Sequence, residues 1–284
     1  MNQRFAASES RRAVLRGLSA FVCATMLACG LMQAAQAQTP DEIRKRGVIR
    51  VGVLAGEPPW GFANEKGEPV GVDIDVAELI AKDLGVKIEY ERVLVSSRIP
   101  ALMTSKVDLL IASMGMFPER AKVVQFSRPY VANVNMVVAS RDKPISSYAD
   151  LKPYKVGVNR GNIIDVAVTK NAPAGTEILR FDDDASAVQA LRSGQVDAIG
   201  LALYPLRMLD KTVPGHDYEK KIIVNNQWTG IAMRKGQKEL NTYLNAFLDK
   251  LEKSGELNRI SQKWLNTDHP TFPASIPEIP FTVE

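Results

Sequence analysis

Arg120 lies in "SMGMFPERAKVVQFS" (113–127), just after "KVDLLIA", an apolar run that reads as a buried strand ending near Ala112. Pro118 suits the first turn of a short helix, where the N–H it lacks would have no partner anyway. A guanidinium is therefore predicted near the C-terminal end of a strand and beside a helix start, the edge at which open α/β sheets bind ligands. Two readings stand: a solvated surface arginine, as most arginines are, or a planar fork offered to a carboxylate. Covalent and acid–base chemistry has less to work with. No G-x-S-x-G, H-E-x-x-H or P-loop pattern occurs. The only histidines, His216 and His269, fall in a loop and in a proline-rich tail, "HPTFPASIPEIPF", expected to lie along the surface. Both cysteines, Cys23 and Cys29, precede the expected fold, which leaves no disulfide, thiol nucleophile or thiolate metal site, and no cofactor is expected.

The elements that must position Arg120 alternate between two periods. Strands are predicted at "VIRVGVL" (48–54), "KIEYERV" (87–93) and "VDLLIAS" (107–113), with helices at "DIDVAELIAKDLG" (73–85) and "RIPALMTSK" (98–106) between them. A second series follows: strands at 154–159, 177–181 and 197–203, with helices at 162–171 and 184–194. The chain then runs through a strand at "WTGIAMRK" (228–235) into helices at 238–255 and 256–265. Such alternation argues for parallel sheets with helices on both faces. One phrase occurs twice, in "RIPALMTSKVDLLIAS" and "AVQALRSGQVDAIGLA": an apolar helix, a tight break, Val-Asp, an apolar strand. Two α/β lobes on one plan explain the repetition. The chain is expected to cross between them around 138–144 and 224–230, so that the first lobe is discontinuous.

The ends bound the setting. "SRRAVLR" (10–16) precedes an uncharged apolar stretch that closes with the small-x-small site "AQA" at 35–37, the pattern of a secretory signal peptide. Arg11 and Arg12 fit the twin-arginine variant of such leaders. The apolar part, Leu18 to Met32, is short for a membrane span of roughly 20 residues. Cleavage after Ala37 is expected rather than lipidation at Cys29, whose preceding residues make a poor lipobox. The leader carries four arginines against Glu9, so the whole-chain charge of +4 falls to +1 beyond it, and nucleic-acid binding loses its electrostatic basis. A 247-residue remainder suits two modest domains.

Four stretches, in this order and spacing, carry a resemblance: "PPWGFANEKGEPVGVDIDVAELIAKDLG", "RIPALMTSKVDLLIASMGMFPERAKVVQFSRPY", "LKPYKVGVNRG" and "GIAMRKG". The chain resembles the periplasmic solute-binding proteins that feed polar amino acids to ABC importers (bacterial extracellular solute-binding family 3). The resemblance implies an α/β fold of type II with two mostly parallel sheets and a two-strand hinge. It places lobe 1 at 38–139 and 228–284 and lobe 2 at 140–227. A small carboxylate-bearing solute, by expectation an amino acid of the acidic or polar kind, would be captured as the lobes close. The partners would be that solute and a membrane permease, with the protein monomeric in the periplasm.

The resemblance also implies site residues. Arg120, in the family's "PER" motif, would grip the solute's α-carboxylate. Arg98 falls where the glutamate/aspartate-binding branch has an arginine for a side-chain carboxylate; its other reading is a helix-start surface charge. Ser113 matches a contact position, and Trp60 stands for an aromatic at the pocket mouth or for core packing. Gly115 replaces the usual Thr or Ser, keeping a backbone N–H and losing the hydroxyl. Ile163 replaces a second-lobe threonine, although the amides of Gly161 to Ile163 still open a helix on which an anion can sit. Phe117 replaces a capping threonine, and Leu54 and Glu57 stand where relatives carry an acid or arginine and an aromatic. The aspartate that pairs with the solute's ammonium aligns with Ala202. Glu57 and Asp184 are the available substitutes; their other readings are a solvated loop acid and a helix cap. An organic acid lacking the ammonium is the alternative solute, and a dehydratase-like enzyme on the same fold the alternative class, with Glu57 as its lone acid; no enzyme is expected. A receptor sensor domain of this fold would need a later membrane span, and no second long apolar run occurs, so a free exported protein is expected.

Overall fold

The structure, a computed structural model, describes residues 38–202 and 218–283; the expected leader, both cysteines and His216 lie outside these. Thr39 opens α1 (Pro40–Arg46) with a capping box in which its hydroxyl accepts the Glu42 N–H and Glu42 answers the Thr39 N–H. β1 (Val48–Val53) follows. Three short strands, β2 (Gly56–Glu57), β3 (Gly61–Ala63) and β4 (Pro69–Val70), then form a small antiparallel sheet. Gly71, at φ 135°, carries the chain from it into α2 (Val72–Leu84); a Cβ at that position would sit 2.3 Å from the Trp60 carbonyl oxygen, so only glycine fits. β5 (Lys87–Arg92), α3 (Arg98–Met103), β6 (Leu109–Leu110) and α4 (Pro118–Ala121) complete the first series.

The second series is β8 (Lys155–Asn159), α5 (Ile163–Asn171), β9 (Glu177–Phe181), α6 (Asp184–Arg192) and β10 (Ala198–Ala202). Two strands of 17 residues join the series: β7 (Val124–Ser140) before it and β11 (Tyr218–Arg234) after it. Helices α7 (Lys238–Lys253) and α8 (Glu256–Leu265) close the chain. Strand order is β5-β1-β6-β11-β7-β10-β8-β9. The flanks, β5-β1-β6 and β10-β8-β9, are parallel, whereas β11 and β7 run antiparallel to each other and to their neighbours β6 and β10. The two expected sheets are thus the two halves of one ladder, continuous through β7 and β11.

Sequence periodicity misses β7 because Arg128 and Pro129 interrupt it; Pro129 is accommodated where the pairing with Gly230 shifts register. β7 begins to pair with β10 at Asn135, upstream of the expected crossing around 138–144. The tail is less superficial than its composition predicts: Ile279 is buried against Val124 and Phe126 among others, and Phe272 packs edge-to-face on Trp228.

Each half has a core on both faces. In the first, α2, α7 and α8 cover one face through residues such as Ile74, Ile80, Leu244 and Ile260, while Leu102 of α3 covers the other. In the second, α6 supplies Ala187 and Leu191 to one face and α5 supplies Ile164 and Val168 to the other. Each fully buried aliphatic side chain stabilises by about 1.5–3 kcal/mol. The repeated Val-Asp phrase does the same job twice. Asp108 donates its N–H to the Arg50 carbonyl and accepts the Arg50 N–H on its carboxylate, each at 2.8 Å. Asp197 forms the equivalent reciprocal pair with Lys155, at 2.8 and 2.9 Å. In both halves the aspartate thereby ties the start of its strand to the neighbouring strand. No helix among the described residues is long and apolar enough to cross a membrane.

Candidate functional site

A cavity lies where residues of both halves converge on the middle of β7 and β11. Of the sequence-predicted residues, Arg120, Arg98, Ser113, Trp60, Glu57, Ile163 and Asp184 line it; Gly115 and Gly161 do not. Leu54 and Ala202 also reach it, with Asn133 and Asn135 of β7, Asn159 at the end of β8, and Gln227 of β11.

Arg120 is the third residue of α4, whose four-residue length leaves the side chain free to lean over the preceding loop. Its Nη1 donates to the Gly115 carbonyl at 3.1 Å, and its guanidinium stacks 5.2 Å from the centre of the Phe117 ring. Among the described residues no carboxylate lies within ion-pair distance of it. Burial, and secondarily the nearby charge of Arg98, pushes its pKa down to about 9. A partly desolvated cation left without an acid is suited to receive an anion.

Arg98 is differently placed. It is 4 % exposed and donates Nε to the Val95 carbonyl at 3.1 Å and Nη1 to those of Ala112 and Ser113 at 2.7 and 3.1 Å. The surface-charge reading is therefore wrong. Arg98 still lines the cavity, and the expected grip on a solute's side-chain carboxylate would fall to Nη2, which makes none of these bonds. Arg98 is also the cation around which Glu57, Asp73, Asp184 and the Tyr130 hydroxyl are gathered; burial still lowers its pKa to about 10.

Asp73, which sequence reasoning did not single out, explains how Ser113 is held. Ser113 has φ 48°, a left-handed backbone that a non-glycine residue adopts at a cost. Its N–H donates to Asp73 Oδ2 at 2.8 Å, and the Tyr130 hydroxyl donates to Oδ1 at 2.6 Å. Burial outweighs these bonds and lifts the Asp73 carboxyl to about 7.

Glu57 and Asp184 meet across the cavity. The residues are 5 % and 7 % exposed, so neither a solvated loop acid nor a simple cap describes them, and it is Asp183 that caps α6. Glu57 Oε1 accepts the Asp184 backbone N–H at 3.1 Å and the side-chain amide of Asn159, which also donates to Asp184 Oδ1 at 3.3 Å. The two carboxyl groups therefore share one amide donor. Burial, then the Asp184 charge, raises Glu57 well above the ordinary carboxylate range, and burial raises Asp184 too. The approach is tight enough that a Cβ on Gly56 would lie 2.9 Å from Asp183 Oδ2.

The departures from the family pattern acquire reasons. A Cβ on Gly115 would fall 2.5 Å from both Gln227 Cδ and Phe117 Cε2, so a threonine has no room while those side chains stand there. Phe117 exchanges a capping role for the stack on Arg120. The expected anion cradle at α5 is reduced. The Gly161 N–H donates to Asp165 Oδ2 at 3.0 Å and the Asn162 N–H to the Asn159 carbonyl at 3.2 Å, so Ile163 supplies the first amide not committed in this way. Trp60, 2 % exposed, belongs to the first-half core and also lines the cavity. The remaining residues missed from sequence are amides. Asn135 Nδ2 donates to Asn225 Oδ1 and Gln227 Oε1, both at 2.8 Å, tying β7 to β11. No motif marks them; their shared signal is polar residues inside buried strands.

Comparison with known proteins gives consistent results. Residues 49–267 match the family model of bacterial extracellular solute-binding proteins, family 3. The L-cystine-binding protein TcyJ of Escherichia coli is 29 % identical over 236 residues, 80 % of this chain and 86 % of its own. An ancestral arginine-binding protein solved with arginine superimposes with TM-score 0.71 at 39 % identity, covering 77 % of this chain and 98 % of that one. The ancestral amino acid-binding protein AncCDT-1, described as a precursor of cyclohexadienyl dehydratase, superimposes with TM-score 0.74 at 33 % identity over 80 % and 99 % of the two chains.

Proposed function

The chain belongs to the bacterial extracellular solute-binding proteins of family 3, and from that premise we propose that it captures an amino acid for a membrane permease of an ABC importer. The observation that carries this reading is Arg120: a half-buried cation lining the cavity, with no acid partner among the described residues. A solute carboxylate supplies the missing charge. We read the halves of the ladder as lobes that close on the solute, β7 and β11 serving as the hinge, in a monomeric protein exported to the periplasm and freed of residues 1–37. Of the relatives named above, one binds cystine, one was solved with arginine and the third is an ancestral amino acid-binding protein, which supports binding rather than catalysis and a solute of that class.

A second reading, an organic acid without an ammonium, is favoured by one feature: Ala202, 6 % exposed at the cavity wall, offers no carboxylate. A thermal-shift screen of amino acids, dicarboxylates and keto acids separates the two. A solute at 100 times its Kd stabilises by about 2.7 kcal/mol, which at ~2–4 °C per kcal/mol for a chain this size is roughly 5–10 °C. Shifts with amino acids alone support the first reading, and shifts with keto acids or dicarboxylates alone overturn it. Small-angle scattering of the stabilised complex should show a smaller radius of gyration; an unchanged radius at saturation refutes closure. Mass spectrometry of the incubated solute should return it unaltered; a dehydrated product would move the protein to the enzyme class.

A further inference from the structure

The geometry points to Glu57, Asp184 and Asn159 as the receptor for the solute's cationic nitrogen, which takes the place of a proton that the two carboxyl groups otherwise share. The inference rests on the amino-acid reading and deepens it, since Ala202 leaves that nitrogen without a partner at the end of β10. Three observations support it. The carboxyl groups come from β2 and α6, line one cavity and share the Asn159 side-chain amide, and two like charges gathered on one donor are not both readily ionised without a cation between them. Asn159 is 1 % exposed and donates its amide to both acids, yet its Oδ1 has no hydrogen-bond partner in the structure. A buried acceptor left over beside two acids matches an ammonium, which has three protons to donate. Finally, Arg120 lines the same cavity and stands ready for the other end of the same molecule.

The charged and titratable groups facing the pair are few. Asp183 adjoins on α6 and raises Asp184; Arg98 opposes from α3 and lowers both acids. Asp73 on α2 and Tyr130 on β7 also act on Arg98 and are bonded to each other. Arg98 carries one charge against three buried acids, too little to ionise them all. When the solute nitrogen enters, it keeps its own protons and supplies the second cation. The pair then changes from one proton and charge −1 to no proton and charge −2, and the proton leaves to the buffer. Uptake of the cation is thereby linked to proton release, and affinity rises with pH until the pair is ionised before binding.

Isothermal titration of the protein with L-arginine, L-cystine and L-glutamine at pH 6, in buffers of different ionisation enthalpy, counts the protons. About one proton should be released per amino acid bound, with affinity rising up to roughly tenfold per pH unit between 5.5 and 7.5. Glu57→Gln, which keeps the shape and removes the proton, should abolish both the release and the pH dependence while weakening binding; Asp184→Asn should do the same and serves should the first variant not fold. An amino acid that binds without proton exchange in the wild type, or with unchanged exchange in either variant, overturns this inference and leaves the amino-acid reading intact. If no amino acid binds but succinate or 2-oxoglutarate does, both fall together.

Discussion

Replacing Arg120 by methionine separates its two possible roles, because they predict opposite changes. Without solute, the guanidinium has a hydrogen bond to the Gly115 carbonyl and a stack on Phe117 in its favour, and burial and Arg98 against it. The drop of its pKa from 12.5 to about 9 is, at 1.36 kcal/mol per unit, about 5 kcal/mol against the charged form as an upper bound. The charge-assisted hydrogen bond and the stack return roughly 2–4 kcal/mol. Arg120→Met should therefore leave the unliganded stability within about 3 kcal/mol of wild type, on the stabilised side, since methionine keeps contact with the ring. With solute the sign reverses. Removing one partner of a buried charge pair costs about 3–5 kcal/mol, a loss of two to nearly four orders of magnitude in affinity at ~1.4 kcal/mol per decade. Denaturant unfolding without solute and calorimetry with the best screened amino acid measure the two effects. Wild-type affinity in a folded variant, or a midpoint that falls by several kcal/mol without solute, would refute the assignment of Arg120 to the solute.

Arg98→Met should behave in the contrary way, destabilising the unliganded protein by about 3–5 kcal/mol by stripping three carbonyls and three buried acids of their cation; an unchanged unfolding midpoint would show that Arg98 is not structural. Stability without solute should fall as pH rises from 5 to 8. Asp73, Glu57 and Asp184 have raised folded pKa values, so folding takes up protons across that window and the stabilisation present at low pH is lost as pH passes the folded pKa. For Asp73, displaced from 3.8 to about 7, the change between pH 5 and 8 is about 2–3 kcal/mol. Carboxylates held low, such as Asp150 and Asp197, are ionised in both states above pH 5 and contribute a constant, while His269, lowered by burial, opposes as one group against three. A melting temperature that is flat or rises over this range would contradict the assignment. Ala202→Asp should retain or tighten amino-acid binding and weaken that of a deaminated analogue; loss of amino-acid binding alone would count against an ammonium in the cavity.

The sequence by itself determined whatever depends on near neighbours. Hydrophobic period marks α2, β9, α7 and α8 to within a residue or two, because the pattern that buries each face is written along the element. The doubled Val-Asp phrase foretells two halves on one plan, and each aspartate makes the same pair of backbone bonds. Arg120 is legible from "PER" because Pro118 and the preceding strand set its place locally. Only the tertiary structure decided what the other charged residues do. Arg98 and Arg120 are both arginines at short helices; one is held by three carbonyls, up to 15 residues away, and the other by a single carbonyl five residues back. Glu57 and Asp184 lie 127 residues apart, and nothing in either neighbourhood says that they meet. Their chemistry comes from desolvation and from each other's charge, quantities summed over whatever the fold packs around a group. A linear chain does not contain that sum until β7 and β11 bring its halves together.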